Sequence, residues 1–280
     1  MPAAFVVVPE WQGSVSARAM SHADGALAIS GDLPSAATVV VEVPVEAGDA
    51  LGTGVHRYSA LRRVGDRVRE AMQGLGRTPI AIGGDCGIAL ASVATAAAGD
   101  ADSLAVLWLD AHPDLNSPET SPSGAFNGMV LRAIAGDGAE GLALREGERI
   151  APSRLVLGGV RALDAGEQAF IDEHGIAMVD VDRFREPGAI VEAILATGAS
   201  RVYVHVDLDV LDPSAIAGLS YPLPFGADPD DLVALVRTVV AGVPLAGASI
   251  AGFAPSSPEA ALDDLPTILR LIGALASGAN

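Results

Sequence analysis

The sequence predicts an α/β protein whose mainly parallel sheet is covered by helices on both faces. Short runs rich in Val, Ile and Leu alternate along the chain with longer segments in which apolar residues recur at helical spacing. A strand followed by a helix and then by another strand requires a right-handed crossover, and such crossovers put helices on both faces of a parallel sheet. With 280 residues, 50% of them hydrophobic, the chain can bury a large core without disulfides.

Eight of the apolar runs are predicted strands, because each is too short for a helix and dense in β-branched residues. They comprise residues 5–8, 38–45, 79–82, 104–109, 154–157, 176–181, 202–206 and 248–253. The segments with helical spacing comprise residues 55–73, 88–98, 164–174, 187–196, 228–240 and 258–275. No linker, repeat or low-complexity tract divides the chain, so residues 1–280 are predicted to form one domain.

Composition and charge exclude several classes of partner. The formal net charge of −18 would repel nucleic acid and anionic membrane surfaces. Cys86 is the one cysteine in the chain, so no internal disulfide can form. The amino terminus lacks the basic segment of an export signal, and no apolar stretch reaches the ~20 residues that a membrane helix needs. We therefore expect a soluble cytoplasmic protein.

The fourth and seventh predicted strands end in clusters of acidic and imidazole side chains. The first cluster comprises Asp110, His112 and Asp114, and the second comprises Asp207 and Asp209. Residues two apart on a strand share a face, so each strand end directs a pair of donors to one side of the sheet. Carboxylates packed together repel one another unless a cation lies between them. Such donors suit Mn²⁺ or Fe²⁺, and two solvated acidic turns are the alternative interpretation.

Three segments together resemble the arginase (ureohydrolase) family. They are residues 83–86 (GGDC), 110–114 (DAHPD) and 207–213 (DLDVLDP), which occur in the family's order and with similar spacing. The resemblance implies a three-layer α/β/α domain with an eight-stranded, mainly parallel sheet. It also implies hydrolysis at a guanidino or amidino carbon with two Mn²⁺ ions per chain.

The same resemblance implies a set of metal ligands. It places one metal among Cys86, Asp110, Asp114 and Asp207, and the second among Asp110, His112, Asp207 and Asp209. A hydroxide held between the metals would attack the substrate carbon, because metal binding lowers the pKa of water. Asp114 would accept a hydrogen bond from that hydroxide and orient it.

The loop after the first acidic cluster extends the resemblance to an amino-acid substrate. Asn116 and Ser123 lie where arginases bind the α-carboxylate, and Asp164 and Glu167 lie in the segment that holds the α-amino group. The expected partner is therefore a small guanidino amino acid. Asn and Ser are also common turn residues, which is the alternative explanation for the first pair.

Three departures from the family pattern bear on the substrate. Cys86 replaces a His ligand, Asn127 replaces the His that shuttles protons, and Gly252 replaces a Glu that pairs with the substrate guanidinium. Arginine is strongly basic, so its hydrolysis needs both a proton donor and a counter-charge. An N-hydroxylated guanidine such as Nω-hydroxy-L-arginine is less basic and fits the altered site better. For Cys86 the alternative is an ordinary buried core residue.

The histidines fall into two groups. His205 shares a strand face with Asp207, so we predict that it acts in the catalytic site by orienting a metal carboxylate; a hydrogen-bonded core histidine is the alternative. His22, His56 and His174 lie outside the matched motifs and are predicted to be surface or loop residues.

Two other functions remain open at this stage. The chain could be another ureohydrolase, such as an arginase, agmatinase or formiminoglutamase, or a catalytically degenerate relative that binds a metabolite. We expect a monomer, because the chain ends soon after its last predicted helix; a trimer is the alternative.

Overall fold

The computed structural model describes residues 3–279, and within them it contains one sheet of eight parallel strands. The strands are β1 (Ala3–Val7), β2 (Thr38–Val40), β3 (Thr78–Ile82), β4 (Leu104–Leu109), β5 (Leu155–Gly158), β6 (Ala177–Val179), β7 (Arg201–Asp207) and β8 (Leu245–Ala251). Their order across the sheet is β2-β1-β3-β8-β7-β4-β5-β6. The predicted α/β class and the eight-stranded parallel sheet are confirmed.

Helices cover both faces of this sheet and bury it completely at its centre. In residues 3–279 they are α1 (Ser21–Ser30), α2 (Tyr58–Met72), α3 (Ile88–Ala97), α4 (Val130–Ile134), α5 (Ala165–His174), α6 (Gly188–Ala196), α7 (Pro229–Gly242) and α8 (Pro258–Ala276). One apolar core joins the sheet to α1, α6, α7 and α8, and a second joins it to α2, α3, α4 and α5. No helix in this part of the chain is both long and apolar enough to cross a membrane.

Two helices were not predicted, and the largest difference in a strand boundary is at β2. Helix α1 was not predicted because Gly25 interrupts its pattern, yet the glycine is needed: an added Cβ would lie 2.2 Å from the carbonyl oxygen of Phe253. Helix α4 has five residues, too few for a periodic signal. Strand β2 ends at Val40 rather than at residue 45. It is an edge strand, and Pro44 cannot donate to a sheet.

The sheet order places the two acidic clusters side by side. Strands β4 and β7 are neighbours near the middle of the sheet, and Leu109 pairs with Val206. The next residues, Asp110 and Asp207, therefore leave the sheet together at its carboxyl edge. Ligands of open parallel sheets bind at this edge. Strand β3, which leads to Cys86, ends at the same edge and is separated from β7 by β8 alone.

Candidate metal centre

Backbone turns after β4 and β7 direct three carboxylates toward one another. The amide of Asp209 donates to Asp207 Oδ1 at 2.8 Å, which folds the chain sharply after β7. The amide of Ala111 donates to Asp209 Oδ1 at 3.0 Å and so ties the two strand ends together. Asp110, Asp207 and Asp209 are all buried. Three like charges therefore share one small volume.

A glycine turn brings Cys86 to the same point. Gly83 and Gly84 have φ of 80° and 78°, a left-handed conformation that glycine adopts readily. A Cβ on Gly84 would lie 2.7 Å from the carbonyl oxygen of Val8, so no larger residue fits the turn. The Cys86 thiol donates to Asp207 Oδ2 at 3.0 Å, and its sulfur lies 3.9 Å from an oxygen of Asp110.

Metal-binding atoms converge into two groups in the described part of the chain. One comprises Cys86, Asp110, His205 and Asp207, and the other comprises Asp110, His112 and Asp209. Within each group the ligand atoms lie within 4.8 Å of one another. Asp110 belongs to both groups, so its carboxylate is placed to bridge two ions.

Asp114 lies beside these groups rather than within them. Its backbone has φ of 51°, which is strained for a residue other than glycine, and such strain is concentrated at functional sites. The side chain is buried, and its Oδ2 has no hydrogen-bond partner among residues 3–279. A buried acceptor of this kind normally has a partner, so the oxygen is free to receive a ligand or a water proton.

Electrostatics explain why the carboxylates need a cation. Burial, and then the charge of Asp209, raises the pKa of Asp207 to about 7. Burial, and then the charge of Asp110, raises the pKa of Asp209 to about 6. The pKa of Asp114 is raised by burial and by the charge of Asp110. A divalent ion would reverse these shifts by compensating the buried negative charge.

The pKa of His112 is also raised, which favours its positively charged form. Burial lowers its pKa, but hydrogen bonds to Asp110 and Asp209, with their charges, raise it to about 12. The Nδ1 atom lies 3.0 Å from Asp209 Oδ2 and 3.5 Å from Asp110 Oδ1. In the absence of metal, the proton on His112 therefore compensates part of the negative charge. The donor set of carboxylates, imidazole and thiol fits divalent metal ions.

A cleft with an empty volume of about 690 Å³ opens above these groups. It is lined by the predicted metal ligands, and the predicted substrate-binding residues Asn116, Ser123, Asp164 and Glu167 line it as well. The Asn116 amide donates to Asp164 Oδ2 at 2.8 Å. The Glu167 carboxylate accepts hydrogen bonds from the amides of Leu115 and Asp164 at 3.0 and 2.8 Å. These bonds connect the loop after β4 to the start of α5.

Comparison with known proteins identifies the family. The model of the arginase family matches residues 17–262. The chain belongs to the arginase family. An arginase of Staphylococcus aureus (strain COL) is 38% identical over 159 residues, which cover 52% of each chain. An arginase of Bacillus caldovelox is 42% identical over 155 residues, covering 53% of this chain and 52% of the other. These matches span about half the length of the curated relatives.

Solved structures extend the similarity to almost the whole fold. The Entamoeba histolytica arginase, solved in complex with L-ornithine, superimposes with a TM-score of 0.83 at 23% identity and covers 98% of this chain and 97% of its own. The proclavaminate amidino hydrolase of Streptomyces clavuligerus has a TM-score of 0.71 at 21% identity, covering 99% and 92%. At this identity the similarity establishes the fold.

One histidine of this arginase-family protein lies elsewhere than predicted. His22 was expected at the surface, but it is buried in α1, and its Nε2 lies 2.9 Å from Ser220 Oγ. Sequence reasoning missed it because α1 itself was not predicted. His22 lines a small cavity of about 10 Å³ with Asn127, Gly252 and three of the candidate metal ligands, Cys86, Asp207 and Asp209. His56 and His174 are exposed, as predicted.

Gly252 also differs in its structural meaning. In the sequence it stands where the family has a carboxylate that pairs with the substrate guanidinium. In the structure its φ is 87°, and an added Cβ would lie 2.2 Å from Asp207 Oδ1. The backbone itself approaches the candidate metal ligand, so the Cβ position of Gly252 has no room for a side chain.

The burial of His22 predicts a pH-dependent stability. Burial, and then the charge of Arg18, lowers its pKa from 6.5 to about 4. The unfolded chain therefore binds a proton that the folded chain rejects between these pH values. As pH falls from 6.5 to 4, this difference should remove roughly 3 kcal/mol of unfolding free energy, and the loss should level off below pH 4. Urea unfolding of the metal-free protein measures it.

The variant His22→Gln isolates this contribution. The glutamine side chain at position 22 does not titrate in this range. The unfolding free energy of the variant should therefore fall less than that of the wild type between pH 7 and pH 4.5. His56→Gln, at an exposed position, is the matched control and should behave as the wild type. Equal pH dependence in all three proteins would contradict the prediction.

Proposed function

We propose that this protein hydrolyses Nω-hydroxy-L-arginine to hydroxyurea and L-ornithine with two Mn²⁺ ions, as does the hydroxyarginine hydrolase of D-cycloserine biosynthesis. The observation that carries the proposal is the bridging position of Asp110 between two groups of metal-binding atoms. Family membership supports guanidino hydrolysis as the reaction class. The substrate is proposed from Asn127 and Gly252, which supply neither a proton shuttle nor a counter-charge.

Six residues would hold the metals, and they are Cys86, Asp110, His112, Asp114, Asp207 and Asp209. When bound, the metal ions lower the pKa of a water molecule enough to supply a nucleophile near neutral pH. His112, which would give up its proton when metal binds, is half-buried at the cleft.

Asp114 would orient the attacking water and carry a proton. Asp114 lines the cleft, and its Oδ2 has no hydrogen-bond partner in residues 3–279, so a carboxylate oxygen is available to accept a proton from the water and return it. Hydrolysis breaks the bond between the guanidino carbon and the side-chain nitrogen. One proton of the water goes to that nitrogen, the other goes to the hydroxyimino nitrogen, and the oxygen stays on the carbon of hydroxyurea. The Asn127 amide can position the substrate by hydrogen bonds but cannot transfer a proton at neutral pH.

The other end of the cleft would recognise the amino acid. Asp164 and Glu167 can hold the α-ammonium group, while Asn116 and Ser123 can donate to the α-carboxylate. At the reacting end, position 252 offers no carboxylate to pair with a guanidinium. An N-hydroxyguanidine is less basic than arginine, and it can bind as a neutral group without that partner.

A substrate panel tests the proposal. Purified Mn²⁺-loaded protein is assayed with hydroxyarginine, arginine, agmatine and formiminoglutamate, with metal content measured on the same sample. We expect kcat/KM for hydroxyarginine to exceed that for arginine by at least about tenfold, which corresponds to about 1.4 kcal/mol of transition-state stabilisation. Equal rates of urea release from arginine would contradict the substrate assignment. Two bound metals without any turnover would favour a metabolite-binding relative.

A further inference from the structure

His205 is a buried histidine in which one ring nitrogen is hydrogen-bonded and the other has no hydrogen-bond partner in residues 3–279. It lies in β7 with no exposed surface. Its Nδ1 lies 2.7 Å from Ser249 Oγ on the neighbouring strand β8. Its Nε2 has no hydrogen-bond partner among residues 3–279. An unpaired buried nitrogen is unfavourable, so a partner absent from the polypeptide is expected at this atom.

His205 belongs to the first metal group. Because its Nδ1 is hydrogen-bonded to Ser249, Nε2 is the nitrogen that is available for a metal. The ligand atoms of His205, Cys86, Asp110 and Asp207 lie within 4.8 Å of one another. Ligand atoms around one ion, each about 2.0–2.3 Å from it, are separated by at most about 4.6 Å. The 4.8 Å limit for the four atoms is close to this separation, so they can share one divalent ion.

The surroundings of His205 match those of a metal-binding imidazole. Such an imidazole normally forms a hydrogen bond through its other nitrogen, which fixes the ring's tautomer and orientation, and Ser249 is in that position. The ring stacks on Trp108 of β4, with centroids 3.6 Å apart and planes 20° apart. The Trp108 indole also donates to Asp110 Oδ2 at 3.1 Å. Trp108 therefore contacts both the imidazole of His205 and the carboxylate of Asp110.

We propose that His205 binds the metal ion of the first group directly through Nε2. This ion would then have a nitrogen ligand from His205 in addition to the sulfur ligand from Cys86. This assignment goes beyond the orienting role predicted from the sequence, and it rests on the metal-dependent function proposed above. The first metal position then has sulfur, nitrogen and carboxylate oxygen donors. The second, at His112 and Asp209, has nitrogen and oxygen donors.

Nuclear magnetic resonance of the cadmium-loaded protein tests the assignment without relying on activity. Cadmium accepts thiolate, imidazole and carboxylate ligands, and ¹¹³Cd couples to directly bonded ¹⁵N in labelled histidine. We expect two coupled histidines in the wild type, with His112→Gln and His205→Gln used to assign them. Coupling to His112 without coupling to His205 would overturn the proposal, as would failure of the wild type to bind cadmium.

Manganese titration provides a second measurement. His205→Gln, which can still hydrogen-bond to Ser249, should weaken one of two Mn²⁺ sites by about 100-fold or more, and Ser249→Ala should weaken it by about 10–100-fold. The exposed His56→Gln variant is the matched control and should leave both affinities unchanged. Unchanged affinity in folded His205→Gln would contradict direct binding.

The two proposals fail in different ways. Coupling of His205 to cadmium without hydrolysis of any substrate would leave the ligand assignment standing and remove the proposed reaction. Hydrolysis of hydroxyarginine by a protein whose His205 is uncoupled would do the reverse.

Discussion

Asp110→Asn should remove metal from both positions and lower hydrolysis by about three orders of magnitude or more, since bound metal supplies several kcal/mol of transition-state stabilisation. Asp110 is the one residue shared by both groups of metal-binding atoms found in residues 3–279. An amide offers one neutral oxygen in place of the carboxylate, so each of the two groups loses one negative charge. Metal content after dialysis and kcat for the best substrate of the panel measure the effect.

Two control variants make this result specific. Asp209→Asn changes a residue of the second group alone and should lose about one metal per chain. Asp102→Asn changes an exposed carboxylate just before β4, at the opposite end of the strand from Asp110, and should keep both metals. Circular dichroism of the metal-free proteins shows whether the variants are folded. Two metals retained in folded Asp110→Asn would show that Asp110 does not bridge.

Gly252→Ala should disrupt the metal centre by steric contact. Its φ of 87° is unfavourable for alanine, and the new Cβ would lie 2.2 Å from Asp207 Oδ1 and 2.7 Å from Asp207 Cγ. The amide of Gly252 donates to the carbonyl of Gly84 at 3.0 Å, which restrains the backbone from moving away. The carboxylate of Asp207 must therefore move, and we expect Mn²⁺ affinity to fall by about 100-fold or more.

Gly99→Ala is the matched control for backbone strain. Gly99 has φ of 84°, but an added Cβ would meet no atom within 4 Å. Both variants should lose about 1–2 kcal/mol of unfolding free energy from the left-handed backbone. Only Gly252→Ala should also lose metal affinity, as measured by Mn²⁺ titration. Equal affinities in the two variants would show that Asp207 is not displaced.

Much of the fold could be predicted because strand and helix patterns are local. The eight apolar runs correspond to β1 to β8, and the six helical segments correspond to helices of the structure. The predictions failed where a distant contact decided the local structure. Gly25 is unfavourable within an isolated helix, yet α1 forms because that glycine lets the helix approach Phe253.

The candidate site was predictable for a similar reason. Alternation along a strand puts Asp207 and Asp209 near one face, and the carboxyl edge of a parallel sheet collects such residues. His22 could not be found in this way, because it reaches the site region from a helix far away in sequence. The placement of the His205 ring also depends on contacts across strands, because Ser249 on β8 hydrogen-bonds to it and Trp108 on β4 stacks against it.

The sequence by itself determined the α/β class, the family resemblance and the donors at two strand ends, because each depends on residues close together along the chain. The tertiary structure alone decided that Asp110 belongs to two groups of donors and that a ring nitrogen of His205 lies within the first. It also decided that Gly252 is required by contact with Asp207. These features depend on the order of strands in the sheet and on distances of a few ångströms between separate segments, which no local pattern specifies.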